Sequence, residues 1–278
     1  MTVLQDAARG AAEPGGLGLA VITYDPTTTL SQFADARGIE FPLLSDEGSA
    51  TIREYGLLNE DMDPARAPEE RRAMMQRLYG IPYPGTFMLD TEGRVTARFF
   101  EAAYQERSTV SSIAVRFGDA AAGATRDAAR VETDHLEALV WATDDVVAPG
   151  NRLSLVVDVT PKPDMHVYAP GNHAYRVIRL RATAPDFLRS HEVTYPPSGM
   201  YRFEPLDETV AVYEEPFRLV QDVTIPMRQD IAELASAPNA TVRVDAVLEY
   251  QACDHEVCYL PQAVPLSWDL SWRPLIRD

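Results

Sequence analysis

The protein has 278 residues, of which 46% are hydrophobic and 24% charged, an ordinary globular composition for a chain long enough to form two domains. The formal net charge of −17 argues against nucleic acid and anionic lipid as partners, because binding to phosphate groups needs a basic surface. The sequence has no apolar run of about 18 residues that would span a membrane, and its first residues lack the basic and apolar parts of a signal peptide.

Strand and helix signals alternate through the first 118 residues. An apolar run at residues 18–24 predicts a buried strand, after which Asp25 and Pro26 supply an N-cap and a first-turn proline for a helix. The later elements are a strand at 41–44, a helix capped by Ser45 or Asp46, a charged and partly helical insertion at 59–77, strands at 81–90 and 95–100, and a helix at about 104–117. This order is typical of an α/β thioredoxin-like fold.

Three segments of this half carry a family resemblance. They are Leu-Ala-Val-Ile-Thr-Tyr-Asp at 19–25, Phe-Pro-Leu-Leu-Ser-Asp at 41–46, and Pro-Gly-Thr-Phe at 84–87 followed by Asp90 and Gly93. Together they resemble the AhpC/TSA and TlpA-like redoxin family across residues 1–118. The resemblance implies that Pro84 is the cis-proline beside which thioredoxin-like proteins bind extended substrate backbone. The alternative is that Pro84 only marks the entry to a strand.

The nucleophilic cysteine of a redoxin is missing from this half. Redoxins carry it after their first strand, whereas residues 2–8 resemble the later part of the helix that follows. We therefore expect an incomplete domain that performs neither peroxide reduction nor thiol exchange, since it has no thiol. Either the domain has lost the strand and cysteine, or they lie upstream of this start, which would make the protein a peroxiredoxin-type peroxidase.

Residues 119–131 are small and polar, show no apolar periodicity, and predict a linker. From residue 132 to 278 the pattern changes to short strands separated by proline-rich turns, with one helical turn at 230–236. Strands are predicted at 136–141, 153–159, 165–169, 177–180, 193–195 and 217–225, and on both sides of the cysteines. This half is therefore predicted to be an all-β sandwich.

The only two cysteines, Cys253 and Cys258, lie at the mouth of a predicted β-hairpin. Apolar residues alternate before them, from Val242 to Tyr250, and after them, from Val264 to Trp272. A hairpin can bring two such positions to the roughly 5.5–6 Å Cα separation of an unstrained disulfide. We expect a reversible disulfide here.

Three interpretations of this pair remain open. A structural disulfide in a non-catalytic interaction module would contribute only about 2 kcal/mol, which is little for a chain that can build its own core. A zinc site of Cys253, His255 and Cys258 has suitable ligands but lacks a second ligand pair. Thiol–disulfide exchange needs an exposed sulfur, which a loop at a hairpin mouth supplies. We favour exchange, with no metal and no cofactor.

The motif Tyr-Gln-Ala-Cys-x4-Cys-Tyr-x-Pro at 250–261 resembles the active-site hairpin of the periplasmic N-terminal domain of DsbD thiol:disulfide interchange proteins. The resemblance covers about residues 131–273, although DsbD itself has one residue more between its cysteines. It implies an immunoglobulin-like sandwich acting as a thiol:disulfide oxidoreductase, with thioredoxin-like redox proteins and oxidised substrate proteins as partners. A disulfide exchanger is most useful outside the reducing cytosol, so we expect an extracytoplasmic or periplasmic location.

The sequence also suggests residues that shape the site. His166 and Tyr168 share one face of a predicted strand, where the DsbD-like family has an aromatic-rich segment. A histidine near a thiol can lower the thiol pKa, whereas Asp254 and Glu256 would raise it. The remaining candidates are Tyr201 or Phe203 as the capping ring of a loop at 199–203, Tyr250, His255 and Tyr259 in the cysteine segment, and Pro84 in the first domain.

Overall fold

The structure is a computed structural model that describes residues 18–100, 106–116, 128–183, 185–203, 207–237 and 240–273. The chain divides into two compact units, Met1–Tyr104 and Gln105–Asp278. Among the described residues, no helix combines the length and the apolar character that a membrane crossing requires.

The first unit contains short strands and helices in the predicted order. They are β1 (Val21–Thr23), α1 (Thr27–Arg37), β2 (Leu43–Ser45), α2 (Ala50–Glu54), a 3₁₀ turn (Glu60–Met62), α3 (Glu69–Leu78), β3 (Gly85–Leu89) and β4 (Val95–Phe100). β1 and β2 form a parallel pair, and β3 and β4 form an antiparallel pair. Helix α1 ends at Gly38, whose φ of 60° suits a residue without a side chain.

Local hydrogen bonds explain where two of these helices begin. Pro26, rather than Asp25, takes the N-cap position of α1, and the Asp25 carboxylate accepts a hydrogen bond from the Thr23 hydroxyl at 2.6 Å. At the start of α2 the Asp46 carboxylate accepts hydrogen bonds from the backbone N–H of Thr51 at 3.0 Å and of the next residue at 2.8 Å. Asp46 therefore satisfies helix donors that would otherwise lack partners.

Pro84 is not the predicted cis-proline. No peptide bond within the described ranges is cis, so the bond before Pro84 is trans. The residue before it, Tyr83, donates its backbone N–H to the Leu57 carbonyl at 2.6 Å, and β3 begins immediately after Pro84. A proline lacks the N–H that a strand interior needs, and this one marks the entry to a strand.

In its described residues, the second unit is built from strands, with two short helices. Its elements are β5 (Arg107–Ser108), α4 (Val110–Arg116), β6 (Ala129–Glu132), β7 (Leu136–Ala142), β8 (Val146–Val147), β9 (Asn151–Pro161), β10 (His166–Tyr168), β11 (Arg179–Ala182), β12 (Arg189–Thr194), β13 (Gly199–Phe203), β14 (Glu208–Tyr213), β15 (Phe217–Thr224), α5 (Gln229–Ala235), β16 (Thr241–Tyr250), β17 (Ala252–Cys253) and β18 (Gln262–Trp272). The strands form three sheets, in the orders β12-β15-β9-β7-β6 with β5 also on β9, β11-β16-β18-β8, and β13-β14-β10-β17.

One hydrophobic core lies between these sheets. Alternate residues of β9, among them Leu153, Leu155 and Val157, are fully buried, because successive side chains of a strand point to opposite faces. They share a cluster with the inward residues of β16 and β18, which include Val244, Ala246, Leu248, Leu266 and Trp268. Fully burying one such side chain stabilises the fold by about 1.5–3 kcal/mol. The predicted sandwich is therefore present.

A helix at about 104–117 was expected to close the first domain; the described part of this range instead forms β5 and α4, which pack on the sandwich. β5 pairs with the start of β9, and Val115 of α4 packs with Trp141 and Val156 on the outer face of the largest sheet. Both Arg116 and Arg152 form ion pairs with Asp222, which is buried in that sheet. A buried carboxylate needs such partners, and this requirement fixes the helix to the sheet.

The predicted linker at 119–131 is only partly visible. Residues 119–127 lie outside the described residues, and residues 129–131 form the start of β6, which pairs with β7. β6 places only Val131 against the core, so its sequence lacks the alternation that would have revealed it.

Candidate functional site

The cysteine segment connects two sheets. β16 and β18 pair along their whole length up to Tyr250 and Gln262, as the alternation predicted. Between them the chain leaves this sheet, and β17 pairs with β10 of a neighbouring sheet, where Cys253 lies opposite His166. The hairpin mouth is thus anchored by a second set of backbone hydrogen bonds.

Cys253 and Cys258 form a disulfide with a Cα separation of 4.1 Å. This separation is shorter than the one we expected. The backbone N–H of Asp254 donates to the Val257 carbonyl at 3.0 Å, and that of Tyr259 donates to the carbonyl before Cys253 at 2.9 Å. The two bonds lie on either side of the cysteines, which therefore form a non-hydrogen-bonded pair of an antiparallel ladder. In such a pair the Cα atoms lie about 4.5 Å apart.

Asp254 organises the turn inside the disulfide ring. Its Oδ1 accepts the backbone N–H of Val257 at 2.6 Å and of Glu256 at 2.7 Å, and its Oδ2 accepts the Tyr259 hydroxyl at 2.8 Å. These donors stabilise the carboxylate and lower the pKa of Asp254 to about 2, with the Val257 bond as the largest cause. Asp254 is therefore ionised at neutral pH.

The two cysteines differ in their exposure. Cys253 is only 1% exposed, because it lies within β17 against the aromatic residues of β10. Cys258 is exposed, and Val257 and Leu260 beside it are exposed apolar residues. The sequence predicted an exposed sulfur without choosing between the two cysteines, and in the structure Cys258 is the exposed one.

Tyr168 contacts both sulfur atoms. Its hydroxyl oxygen lies 3.0 Å from Sγ of Cys253 and 3.4 Å from Sγ of Cys258. A disulfide sulfur carries no hydrogen, so the hydroxyl is the donor. Burial is the main cause that raises the pKa of Tyr168 to about 12, with smaller contributions from neighbouring groups such as Tyr175. Tyr168 therefore keeps its proton at neutral pH.

Tyr175 covers Tyr168 and was not identified from the sequence. The two rings are stacked, with centroids 4.3 Å apart and planes at 2°, and the Tyr175 hydroxyl donates to the Glu208 carboxylate at 2.7 Å. His173 also lies over Tyr168, at 5.5 Å between centroids, and bonds the Ala169 carbonyl at 2.8 Å. The only sequence signal for this contact was a turn-rich segment after Tyr168 that contains His173 and Tyr175.

His166 lies on the other side of Tyr168. Its ring is 5.7 Å from that of Tyr168 and 4.5 Å from that of Tyr201. Burial lowers the pKa of His166, and the opposing effect of the Asp254 charge is smaller. A ring that is neutral at pH 7 supplies no positive charge, so the structure does not support the expected lowering of a thiol pKa by His166.

The predicted cap loop at 199–203 is wrong, because these residues form the edge strand β13, which pairs with β14. Tyr201 of this strand packs against the cluster that contains Cys253 and Tyr168. Phe203 lies two residues further along, opposite Glu208. The sequence at 199–203 shows no clear strand pattern, so the prediction missed this strand. Hydrogen bonding to β14 holds these residues in an extended conformation.

The other candidates have supporting or peripheral positions. Tyr259 holds Asp254, and its ring lies 4.5 Å from that of His135. Tyr250 is buried in the core and donates its hydroxyl to Thr133 at 2.8 Å. His255 is exposed, with Nε2 at 3.9 Å from the Glu256 carboxylate. In the described part of the chain, no group of three His, Cys, Asp or Glu residues is arranged to hold a metal.

Two family models match the chain. The AhpC/TSA family matches residues 2–98, and the family of the N-terminal domain of thiol:disulfide interchange protein DsbD matches residues 138–266. The two-part resemblance and the fold class are confirmed: a thioredoxin-like region precedes a DsbD-N-like sandwich. Both families point to activity of the thiol–disulfide oxidoreductase type. No curated protein matches the chain.

Similar solved structures include three domains. The N-terminal periplasmic domain of ScsB from Proteus mirabilis is 12% identical, with a TM-score of 0.34, over 51% of this chain and 49% of that one, so the match spans about half the length of that structure. The reduced N-terminal domain of DsbD from Neisseria meningitidis is 18% identical, with a TM-score of 0.27, over 42% of this chain and 76% of that one. The yeast GGA1 GAE domain is 9% identical, with a TM-score of 0.29, over 51% and 97%.

Proposed function

We propose that the second unit is a thiol:disulfide interchange domain, which passes electrons through a reversible Cys253–Cys258 disulfide to or from thioredoxin-like redox proteins and oxidised substrate proteins. The observation that carries this proposal is the asymmetry of the pair. One cysteine is exposed to an attacking thiolate, and the other is buried beside the donating hydroxyl of Tyr168. A disulfide that only joined two parts of a core would not need an exposed sulfur.

Reduction begins at the exposed cysteine. A partner thiolate attacks Sγ of Cys258 and forms a mixed disulfide, while the Cys253–Cys258 bond breaks and its electron pair leaves on Sγ of Cys253. The Tyr168 hydroxyl, 3.0 Å from this sulfur, donates a hydrogen bond to the developing thiolate. Since the pKa of Tyr168 is about 12, the hydroxyl stabilises this charge without giving up its proton.

A second thiolate completes the transfer. The other cysteine of the partner attacks the partner sulfur of the mixed disulfide, and Cys258 leaves as a thiolate. Two electrons have then moved to Cys253 and Cys258, whose sulfurs take up the two protons that the partner thiols released, and the partner carries a disulfide. The reverse sequence reduces an oxidised substrate protein. The ionised carboxylate of Asp254, adjacent to Cys253, disfavours a lasting thiolate and favours the protonated dithiol.

The compartment follows from this chemistry. Cytosolic glutathione and thioredoxin keep thiols reduced, so a protein that cycles between disulfide and dithiol acts most usefully outside the cytosol. We place this one in the periplasm. Fractionation that recovers the mature protein in the cytosol alone would contradict this placement.

Trapping with single-cysteine variants tests the proposal. Cys253→Ser leaves the exposed Cys258, which should form a mixed disulfide rapidly with an activated aromatic disulfide reagent or with an oxidised thioredoxin-like protein. Cys258→Ser leaves only the buried Cys253, which should react at least about tenfold more slowly. Equal rates would contradict the assignment of Cys258 as the attacked cysteine.

The reduction potential separates exchange from the alternative of a structural disulfide in an interaction module. The burial of Cys253 within β17 is the observation that favours that alternative. A structural disulfide lies below about −300 mV and resists glutathione, whereas an exchanging disulfide lies above that value. Equilibration with glutathione or dithiothreitol buffers, read by mass spectrometry of alkylated thiols, gives the potential directly.

A further inference from the structure

A groove of about 630 Å³ lies beside the disulfide. Its two walls are the connection from β9 to β10 and the connection from β14 to β15. The residues that carry the argument are Asp164, His166, Tyr201, Glu214, Glu215 and His255, all of which line it. His166 lies opposite Cys253 in the sheet, and His255 belongs to the disulfide ring. The groove is therefore lined by two residues that neighbour the disulfide, although neither cysteine lines it.

The walls of this groove are acidic. Asp164, Glu214 and Glu215 are exposed, and none of them forms an ion pair with another residue in the part of the chain that the structure describes. Among the described residues that line the groove, Lys162 carries a positive charge, and it already binds the Glu132 carboxylate at 3.2 Å. The groove thus presents negative charge that has no partner within the described ranges.

A polar ring with no protein hydrogen bond among the described residues lines the groove. His166 is only 3% exposed, lines the groove, and has no hydrogen-bond partner among the described residues. A neutral imidazole offers one donor and one acceptor. The ring nitrogens of His166 are not among the fully buried polar atoms that lack a partner, so they are open to the groove, where the backbone of a ligand can bond with them.

We propose that this groove binds a positively charged, extended segment next to the reactive cysteine of the redox partner. This inference rests on the proposed function and adds the chemistry by which the partner is selected. Lysine or arginine side chains would pair with the three carboxylates, and the backbone of the segment would bond with the His166 ring. The net charge of −17 would steer such a partner toward the site.

Thiol probes test the inference on the whole chain. Two synthetic pentapeptides carry one cysteine each, flanked by lysines in one and by glutamates in the other, and 2-mercaptoethanol serves as a neutral thiol. Rates of disulfide reduction are divided by the thiolate concentration of each probe, so that differences in thiol pKa cancel. We expect the basic peptide to react about tenfold faster than the acidic one at low salt, and the ratio to approach one at high salt.

Charge-matched variants locate the effect. Glu214→Gln combined with Glu215→Gln should lower the basic-to-acidic ratio at least about threefold. The control combines Glu192→Gln with Glu233→Gln, which removes two exposed carboxylates outside the groove and should leave the ratio unchanged. His166→Phe keeps a ring against Tyr201 and should lower the rate of either peptide relative to that of 2-mercaptoethanol.

The outcomes distinguish the two proposals. If 2-mercaptoethanol, glutathione and both peptides all fail to reduce the wild-type disulfide, the proposed function is wrong. If the neutral thiol reduces it but the two peptides react equally, exchange stands and the groove does not select basic segments. If the basic-to-acidic rate ratio falls equally in the groove variant and in the control variant, net charge alone steers the probes. That result also refutes the proposal that the groove binds a basic segment.

Discussion

Replacing Tyr168 with phenylalanine removes the hydroxyl that contacts both sulfurs and keeps the ring stacked beneath Tyr175. In the oxidised protein this hydroxyl donates to neutral sulfur, which accepts weakly. During reduction the same hydroxyl donates to the charge that develops on Cys253. The substitution should therefore affect the rate of reduction more than the equilibrium.

The size of both effects follows from the hydrogen bonds involved. A hydrogen bond to a charged group is worth about 1.5–3 kcal/mol. The transition state carries only part of the charge, and if it realises about half of this energy, reduction should slow by about 4- to 13-fold. Between the disulfide and the neutral dithiol, the Tyr168 bond changes by no more than about 1 kcal/mol. For a two-electron couple this corresponds to a shift of about 20 mV toward a lower potential.

Stopped-flow reduction with dithiothreitol measures the rate, and equilibration in redox buffers measures the potential. Tyr195→Phe is the matched control, because Tyr195 donates its hydroxyl to the Ile178 carbonyl at 3.0 Å and does not contact the sulfurs. A Tyr168→Phe variant that is reduced at the wild-type rate would refute the role of the hydroxyl. A fall in rate shared with the control variant would assign the effect to packing.

Three further predictions concern stability. Cys253→Ser or Cys258→Ser should leave cooperative unfolding intact and lower the free energy of unfolding, measured in urea, by about 2 kcal/mol, whereas loss of cooperativity would show a structural disulfide. The pKa of Asp254 is lowered from 3.8 to about 2. The stabilising effect of its carboxylate on the ring turn should therefore be complete above about pH 4 and disappear as the pH falls through about 2. An NMR titration of Asp254 with a midpoint near 3.8 would contradict this. Asp222→Asn should cost about 3 kcal/mol in the same urea assay, because it removes the buried carboxylate that pairs with both Arg116 and Arg152. Wild-type stability would contradict this assignment.

Much of the sandwich could be predicted because the alternation that marks a strand lies within the strand's own sequence. Side chains of a strand alternate between core and solvent, so the alternation in β9, β16 and β18 is written directly in the sequence. β13 pairs with β14, and β14 pairs with β10; these pairings order a segment whose own sequence pattern is weak. Pairing between distant strands overrode the local signal there.

The first unit shows the same division between local and distant causes. The end of α1 at Gly38 was placed correctly from the sequence, because a turn glycine acts on its own neighbours. Asp46 was correctly expected to bind the start of α2, although Ser49 takes the N-cap position there. The conformation of the bond before Pro84 and the packing of α4 depend on contacts with distant residues. Neither was predicted correctly, because the sequence pattern around each is compatible with both outcomes.

At the candidate site, the sequence by itself determined the pair Cys253 and Cys258, their hairpin and the nearby residues His166 and Tyr168, since composition and spacing leave no other thiols. Only the tertiary structure decided that β17 leaves its hairpin to join β10, which buries one cysteine beside Tyr168 and leaves the other exposed. It also decided that the loop after β10 stacks Tyr175 over the site. Each of these features joins residues that are far apart in the chain, and their position follows from packing rather than from local pattern.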